Sequence, residues 1–356
     1  MKELSIGLVI NPIAGVGAAL AWKGTDDIQK AWKAIDDGMP QPIWNIVSRA
    51  LTSIPKNISI NWILASNYPI DLSQENKIIL SNFQKYTNSE TTHQLVKELT
   101  NHDLDLILFA GGDGTASDVA KFSKQIPIMG IPSGVKIYSP CFLHKPEDLG
   151  SFLQNWEGET YNEDLLDLDL NNVSKNIDLT QITTSALIPI TQKKQLGKIS
   201  WSNNDTHTHR LIAERISEDK LLENSTILIG PGSTMKTIFE HLGHETTLLG
   251  VDIIQNNEII IKDANFKDIL GVTITGIWVS PIGNQGHVFG RGNRQIPAST
   301  INQLPNSQIL IFSTLEKIRN TQFLYVDTGD PELDKKLQGY FPIITGYHEE
   351  IMRKIL

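Results

Sequence analysis

A single cysteine, Cys141, stands in the 356 residues of this chain. That excludes an internal disulfide and fits a reducing compartment. Basic residues are also short: 31 Lys and Arg stand against 40 Asp and Glu, a formal net charge of −9. A nucleic-acid binder, or a protein that lies on anionic membranes, wants a basic surface, so neither is expected. No apolar run reaches the ~18 residues of a membrane span. The N-terminal MKELSIGLVINP has one lysine and too short an apolar stretch for a secretory leader. A cytoplasmic protein is expected. Apolar residues at 40% and charged residues at 20% are ordinary for a globular chain. The length exceeds what one core usually organises, so two domains are expected. There are no repeats, low-complexity segments or long linkers.

The stretch that carries most chemistry is Leu106 to Thr115, LILFAGGDGT. Four of its first five residues are large and apolar, which suits a strand buried on both faces. Gly111-Gly112-Asp113-Gly114-Thr115 follows without a bulky side chain, and a helix is expected from about Ala116 to Ser123. Strand, glycine turn and helix start form a phosphate-binding geometry: glycines admit the anion and the free N–H groups of the first helical turn point at it. An aspartate beside a polyphosphate is repelled unless it holds a metal ion or takes a proton from an attacking hydroxyl, and both are kinase tasks. The competing reading is a tight turn, since glycine and aspartate tolerate positive φ.

The context recurs along the chain. Leu4 to Ile10 reads as a first strand, running into Asn11-Pro12-Ile13-Ala14-Gly15-Val16-Gly17. Ile126 to Ile131 is a short buried strand ending in Pro132-Ser133-Gly134-Val135-Lys136. Parallel strands would bring these loops to one sheet edge, where open α/β sheets bind ligands. Helices are expected over 42–53 and 89–100 and a strand over 58–65, so the first ~140 residues read as a doubly wound parallel sheet.

Beyond Cys141 the text turns strand-rich. Strand 225–230 enters Gly232-Ser233-Thr234 and a helix over 237–242, where hydroxyls suit an anion or ribose and helix capping is the rival. Residues 247–262 read as a hairpin about Asn256-Asn257, which favours a primed turn. Further strands are expected over 272–280, 308–313, 322–326 and 340–345. Asp164, Asp167 and Asp169 read as a wet strand face rather than a metal cluster. Asp205, His207 and His209 read as a polar loop edge rather than metal ligands. Lys23, Asp26, Lys136, Lys236 and Arg291 are charged residues beside glycine loops whose reach to a site is left open.

Together, VINPIAGVGAALAWKGTDD, FAGGDGTASDVA, GIPSGVKIYS, IGPGSTMKTIFEHLG, LLGVD and SPIGNQGHVFGRGN, spread over residues 9–293, resemble the ATP-NAD kinase-like group of the NAD kinase and diacylglycerol kinase superfamily. The likeness is to the branch that includes the acetoin-catabolism X proteins. It implies a Rossmann-like N-terminal α/β domain (about 1–140) and a β-rich second domain (about 141–334), with the site in the cleft and the segment 335–356 returning to the first domain. It implies Asp113 as activator of the acceptor hydroxyl or metal partner. Asn11, Pro12, Gly15, Gly17, Gly111, Gly112, Gly114, Thr115, Gly134, Gly232, Ser233 and Thr234 are the expected nucleotide-binding positions. ATP, Mg²⁺ and NAD as acceptor are implied, with NADP as product. Small-molecule nucleotide substrates are the expected partners, with no nucleic acid and no membrane, and a homo-oligomer is expected. One departure stands out. Typical NAD kinases carry an Asn-Glu pair that holds the dinucleotide, and the pair present here, Asn257-Glu258, falls in the hairpin turn. The alternatives are a kinase of a lipid, sugar or nucleoside hydroxyl, or a nucleotide-binding sensor without catalysis.

Overall fold

The computed structural model describes residues 2–356 except 21, 23–26, 67, 73–76, 81–85, 135–136, 169–179, 196–205, 284 and 320. The chain divides into two compact units, one of Met1–Gly17 with Gly24–Gly197, the other of Ala18–Lys23 with Lys198–Leu356.

The first unit is built on a parallel sheet of β1 (Lys2–Ile10), β2 (Ile58–Leu64), β3 (Lys77–Ile79), β4 (Leu106–Gly111) and β5 (Ile128–Pro132), in the order β3-β2-β1-β4-β5. Helices α1 (Ile28–Asp36), α2 (Pro42–Thr52), α3 (Ser89–Leu99), α4 (Asp113–Ala120) and α5 (Asp148–Asn155) accompany it. Strand β4 shows why its text is apolar throughout. Leu106, Leu108 and Ala110 join the core that holds Ile43, Ile46, Val47 and Ala50 of α2 and Leu149, Phe152 and Leu153 of α5. Ile107 and Phe109 join the opposite core, with Leu95, Val96 and Leu99 of α3 and Ala116, Val119 and Ala120 of α4. Alternation along a strand sends successive side chains to opposite faces, and here both faces are covered. The helix ends follow local rules: Pro42 opens α2, and Asn88 with Thr91 closes a capping box on α3.

An antiparallel hairpin, β6 (Thr160–Leu168) and β7 (Thr180–Pro189), extends this unit to residue 197, past the border at 140 expected from composition. Leu165, Ala186 and Ile188 on the hairpin are buried in the core beneath α3 and α4. The strand-rich text after Cys141 therefore begins with a cover for the first sheet, not with the second unit.

The second unit carries a nine-stranded mixed sheet: β8 (Thr226–Ile229), β9 (Asp252–Gln255), β10 (Glu258–Ile261), β11 (Gly276–Val279), β12 (His287–Phe289), β13 (Ile309–Phe312), β14 (Phe323–Val326), β15 (Gly339–Gly346) and β16 (Glu349–Ile355), ordered β10-β9-β8-β11-β13-β15-β16-β14-β12. Its helices are α6 (Thr206–Glu218), α7 (Ser233–His241), α8 (Phe266–Leu270), α9 (Ala298–Asn302), α10 (Leu315–Arg319) and α11 (Pro331–Lys336). The C-terminal strands pair inside this sheet, β15 with β13 and β16, so the segment after 335 completes the second unit instead of returning to the first. Asn256 and Asn257 both take positive φ, +47° and +65°, in the primed turn between β9 and β10. Asn257-Glu258 is thus occupied by hairpin geometry, as the sequence suggested.

One contact in the first unit is close enough to fix a residue type. Gly150 in α5 lies against the end of α2, where an added Cβ would come 1.9 Å from the Ser53 carbonyl oxygen. Its N–H donates to Ser53 Oγ at 2.9 Å, which ties the two helices together at this point. Glycine to alanine inside a helix ordinarily stabilises by roughly 1 kcal/mol. Here Gly150→Ala is expected to destabilise by about 1–3 kcal/mol, the cost of overpacking. Urea unfolding of the two proteins checks the sign, and a more stable variant would contradict this packing.

Candidate functional site

The strand order of the first sheet reverses direction between β1 and β4, and the loops that leave these two strands flank that switch point. They are tied to each other. Asn11 donates from Nδ2 to Thr115 Oγ1 at 3.0 Å, and its Oδ1 accepts from the Ile13 N–H at 3.2 Å. The third loop joins from β5: the N–H groups of Ser133 and Gly134 both donate to the Gly111 carbonyl at 3.1 Å. Expected sites Asn11, Gly15, Gly111 to Thr115 and Gly134 therefore do converge. Pro12 is held through its carbonyl by Gln41 Nε2 at 2.9 Å, and Gly17 is buried at the end of the same loop.

Glycine is required where these backbones touch. A Cβ on Gly134 would lie 2.7 Å from Gly112 Cα, and one on Gly111 would lie 2.4 Å from Thr115 Oγ1. Gly15 has φ +80°, and its Cβ would lie 2.8 Å from the Ser133 carbonyl oxygen. Gly114 differs: a Cβ there would meet nothing within 4 Å, and the residue is exposed. The glycine turn is thus closed on its inner side and open at Gly114.

Asp113 is not in the turn, where the sequence reading put it, but is the first residue of α4, with Gly112 as N-cap. The helix starts three residues earlier than its apolar pattern suggests. The N–H groups of residues 113–115 consequently have no carbonyl partner inside the helix, the arrangement that favours anions. The carboxyl of Asp113 is only 1% exposed. Its Oδ2 accepts from the Tyr138 N–H at 2.6 Å and its Oδ1 from the Ser139 N–H at 2.9 Å. A carboxylate offers about four lone-pair directions. The two amides fix its orientation and tie α4 to the chain beyond β5.

That chain is held from further sides by residues the sequence did not single out. Gln195, fully buried, donates from Nε2 to the carbonyls of Ile137 at 3.3 Å and Ser139 at 2.7 Å. Ser139 Oγ donates to the Leu166 carbonyl and accepts from the Leu166 N–H, both at 2.9 Å. Two short bridges extend the sheet beyond β5, Gly130 with Phe142 and Leu143 with Lys194. Gln195 and Ser139 act over long sequence separations, and a glutamine or serine in a polar stretch carries no mark of such a role. Cys141, buried beside them, has its thiol pushed well above the usual range, first by burial and then by the charge of Asp113. It stays protonated and is no nucleophile.

Gly232, Ser233 and Thr234 belong to the second unit and form a turn of their own. Gly232 caps α7 with φ +118°, a conformation that only glycine adopts readily. Ser233 is exposed and Thr234 buried. Lys317 of α10 donates to Thr234 Oγ1 at 2.9 Å and to Ser280 Oγ at 2.8 Å, joining the carboxyl ends of parallel strands β8, β11 and β13. Lys236 is engaged along its own helix by Glu240 at 2.6 Å. Arg291, expected as a possible phosphate contact, is 2% exposed inside a loop pinned by Asn293 to Gly290 and Val288 and by Arg294 to the buried Asp327 at 2.6 Å.

His207 and His209 lie two residues apart in α6, where such neighbours do not face each other, so the loop expected there is a helix. Asp164 is exposed on β6, as a wet strand face requires. The side chain of Asp167 and residues Lys23, Asp26, Lys136, Asp169 and Asp205 lie outside the described residues. Among the described residues there is no group of three or more His, Cys, Asp or Glu able to hold a metal ion, and no helix long and apolar enough to cross a membrane.

Comparison with known families gives two matches. Residues 6–160 match the ATP-NAD kinase N-terminal domain, and residues 222–354 match the ATP-NAD kinase C-terminal domain. No curated protein matches the chain.

The backbone contact between Gly134 and Gly112 supplies a test. Gly134→Ala must part the β5 loop from the glycine turn, at a cost of about 1–3 kcal/mol. The expected result is a lowered urea midpoint together with weakened ATP binding by calorimetry. An alanine variant equal to wild type in both would show that the two loops do not need this contact.

Proposed function

The chain belongs to the ATP-NAD kinase family, and on that premise we propose that this ATP-dependent kinase phosphorylates a hydroxyl of NAD(H) to give NADP(H), with Asp113 at the acceptor hydroxyl. The observation that carries the reading is the convergence, at the switch point of a parallel sheet, of three glycine-bearing loops on a single fixed acid. Phosphates of ATP would lie on the first turn of α4, past Gly114, where backbone N–H groups and the helix dipole favour negative charge. The hydroxyl oxygen attacks the terminal phosphorus as the bond to the leaving ADP oxygen breaks, and Asp113 takes the hydroxyl proton. Such transfer is mostly positioning and charge neutralisation, so an acid oriented by two amides and sheltered from bulk water suits it.

Magnesium fits as an ion carried in on the nucleotide. It keeps several waters and binds through one or two carboxylates together with phosphates. Asp113 is the only carboxylate between Gly111 and Thr115, and amides hold both its oxygens. We therefore give it the hydroxyl rather than the ion, which would neutralise phosphate charge. A different alcohol acceptor is the second reading, favoured by Asn257-Glu258 being taken up in the β9–β10 turn. We also propose that the protein is cytoplasmic and a homo-oligomer; light scattering of the purified chain tests the oligomeric state.

Asp113→Asn is expected to lose turnover on the order of 10²-fold or more, as when a general base is removed. Asparagine also sets an NH₂ against one of the two amides, so a fall in melting temperature is expected alongside. A folded variant with near-wild-type turnover removes Asp113 from the chemistry. Mass spectrometry of NAD, NADH and a metabolite extract incubated with enzyme and ATP identifies the acceptor: a one-phosphoryl mass gain on NAD(H) supports the first reading, and the same gain only on another alcohol supports the second.

A further inference from the structure

Two hydroxyl groups stand just past the carboxyl end of β2, at the same sheet edge as the glycine turn, and the proposed chemistry has not used them. Tyr68 Oη accepts from the Ile10 N–H at 3.0 Å. That bond leaves the phenol its own proton to donate, and no acceptor for it is found among the described residues. The ring packs on the core beneath α2, 6.2 Å from Trp44 between centroids, which fixes where the hydroxyl stands. Ser66, two residues earlier, is 4% exposed, and no hydrogen bond of its Oγ is found among the described residues. Buried hydroxyls are ordinarily satisfied, so two such groups side by side in the chain call for a partner.

Direct contacts join this place to the glycine turn. Ile10 ends β1, and the next residue, Asn11, donates from its N–H to the Ala110 carbonyl and from Nδ2 to Thr115 Oγ1, both at 3.0 Å. Neighbouring strands lie about 4.8 Å apart, so the order β2-β1-β4 sets the end of β2 roughly 10 Å from the end of β4. The sugar of a nucleoside triphosphate lies at a separation of that order from its terminal phosphates. In doubly wound sheets that hold phosphate after one strand, the ribose is read from the end of the next. The chemistry agrees. Leu64 to Ile70, LASNYPI, holds no charged residue, which suits a neutral diol better than a second phosphate. Burial pushes the Tyr68 phenol above its usual range, with the Ile10 N–H opposing, so it acts as a neutral donor.

We propose that Tyr68 and Ser66 form the ribose subsite for the ATP whose phosphates lie on the Gly111 to Thr115 turn. Tyr68 donates its O–H to one hydroxyl of the sugar, and Ser66 Oγ meets the other. The assignment rests on the reading of that turn as an ATP site; the identity of the phosphoryl acceptor does not enter it.

The test uses the full chain. Wild type and Tyr68→Phe are titrated calorimetrically with ATP, 2′-deoxy-ATP, 3′-deoxy-ATP, tripolyphosphate and NAD, and thermal melts establish folding. Wild type is expected to prefer ATP over a deoxy analogue by roughly 3- to 10-fold, the worth of one neutral hydrogen bond. Tyr68→Phe is expected to lose that preference while it keeps its affinity for tripolyphosphate, which has no sugar. The variant also deprives the Ile10 N–H of its acceptor, so a lower melting temperature accompanies the change. A folded variant that keeps the preference overturns the assignment, as does one that loses ATP and tripolyphosphate by the same factor. A loss confined to NAD overturns it too, by placing the acceptor's sugar here. Should the phenylalanine variant fail to fold, Ser66→Ala carries the same comparison, and wild type that binds ATP and both deoxy analogues alike overturns the subsite with no variant at all. Failure of the kinase reading looks different. A sugar preference without phosphorylated product keeps the subsite and removes the transfer, whereas product formed equally well from ATP and both deoxy analogues keeps the transfer and removes the subsite.

Discussion

Two backbone amides, of Tyr138 and Ser139, end on one carboxylate that is shut away from water. Each of those amides loses an acceptor without it, and a buried donor left unsatisfied costs about 1–3 kcal/mol. The acid in turn loses two donors that orient a buried charge. The arrangement is therefore mutual: the carboxylate fixes the path of the chain after β5, and that path fixes the carboxylate. Gln195 and Ser139 carry the same bonding outward to the strand bridges and to β6. The glycine turn at the head of α4 is positioned by this network as much as by its own strand.

Around that centre the loops approach backbone to backbone. Gly134 against Gly112 and Gly15 against Ser133 leave no room for a side chain, while Gly114 faces open space. Residues that look alike in the text thus have opposite tasks. Most glycines let the protein touch itself; Gly114 leaves the first turn of α4 accessible. A phosphate group needs both conditions, a rigid cradle and an unobstructed approach.

What could be read in the sequence follows from how local each cause is. The apolar run of β4, the proline and asparagine at the starts of α2 and α3, and the paired asparagines of the β9–β10 turn carry their structure within a few residues. So the parallel first unit, its three converging loops and most strands were legible. The strand β16, EEIMRKI, was not, because its alternation is half polar and its partner β15 lies on a hairpin. Nor was the start of α4 at Asp113, since Gly112 and Gly114 mask a helix onset that long-range amides stabilise. Gln195, Ser139 and Lys317 were invisible for a related reason: their partners lie 27 to 83 residues away. The domain border was misplaced because a hairpin that covers the first sheet shares its texture with the strands that follow.

The bridge between Leu143 and Lys194 also orders events on the ribosome. Sheet strands β1 to β5 leave the exit tunnel well before residues 193–195, yet His144 and Gln195 complete the edge by hydrogen bonds to and from that late segment, at 3.0 and 2.8 Å. Until it emerges, the backbone groups of Phe142 and His144 that bond to it lack these partners, on the kind of edge that can pair with foreign strands. The edge of the nascent first unit is thus left unsealed for the whole interval in which β6 and β7 are made, and it closes only when residues 193–195 arrive.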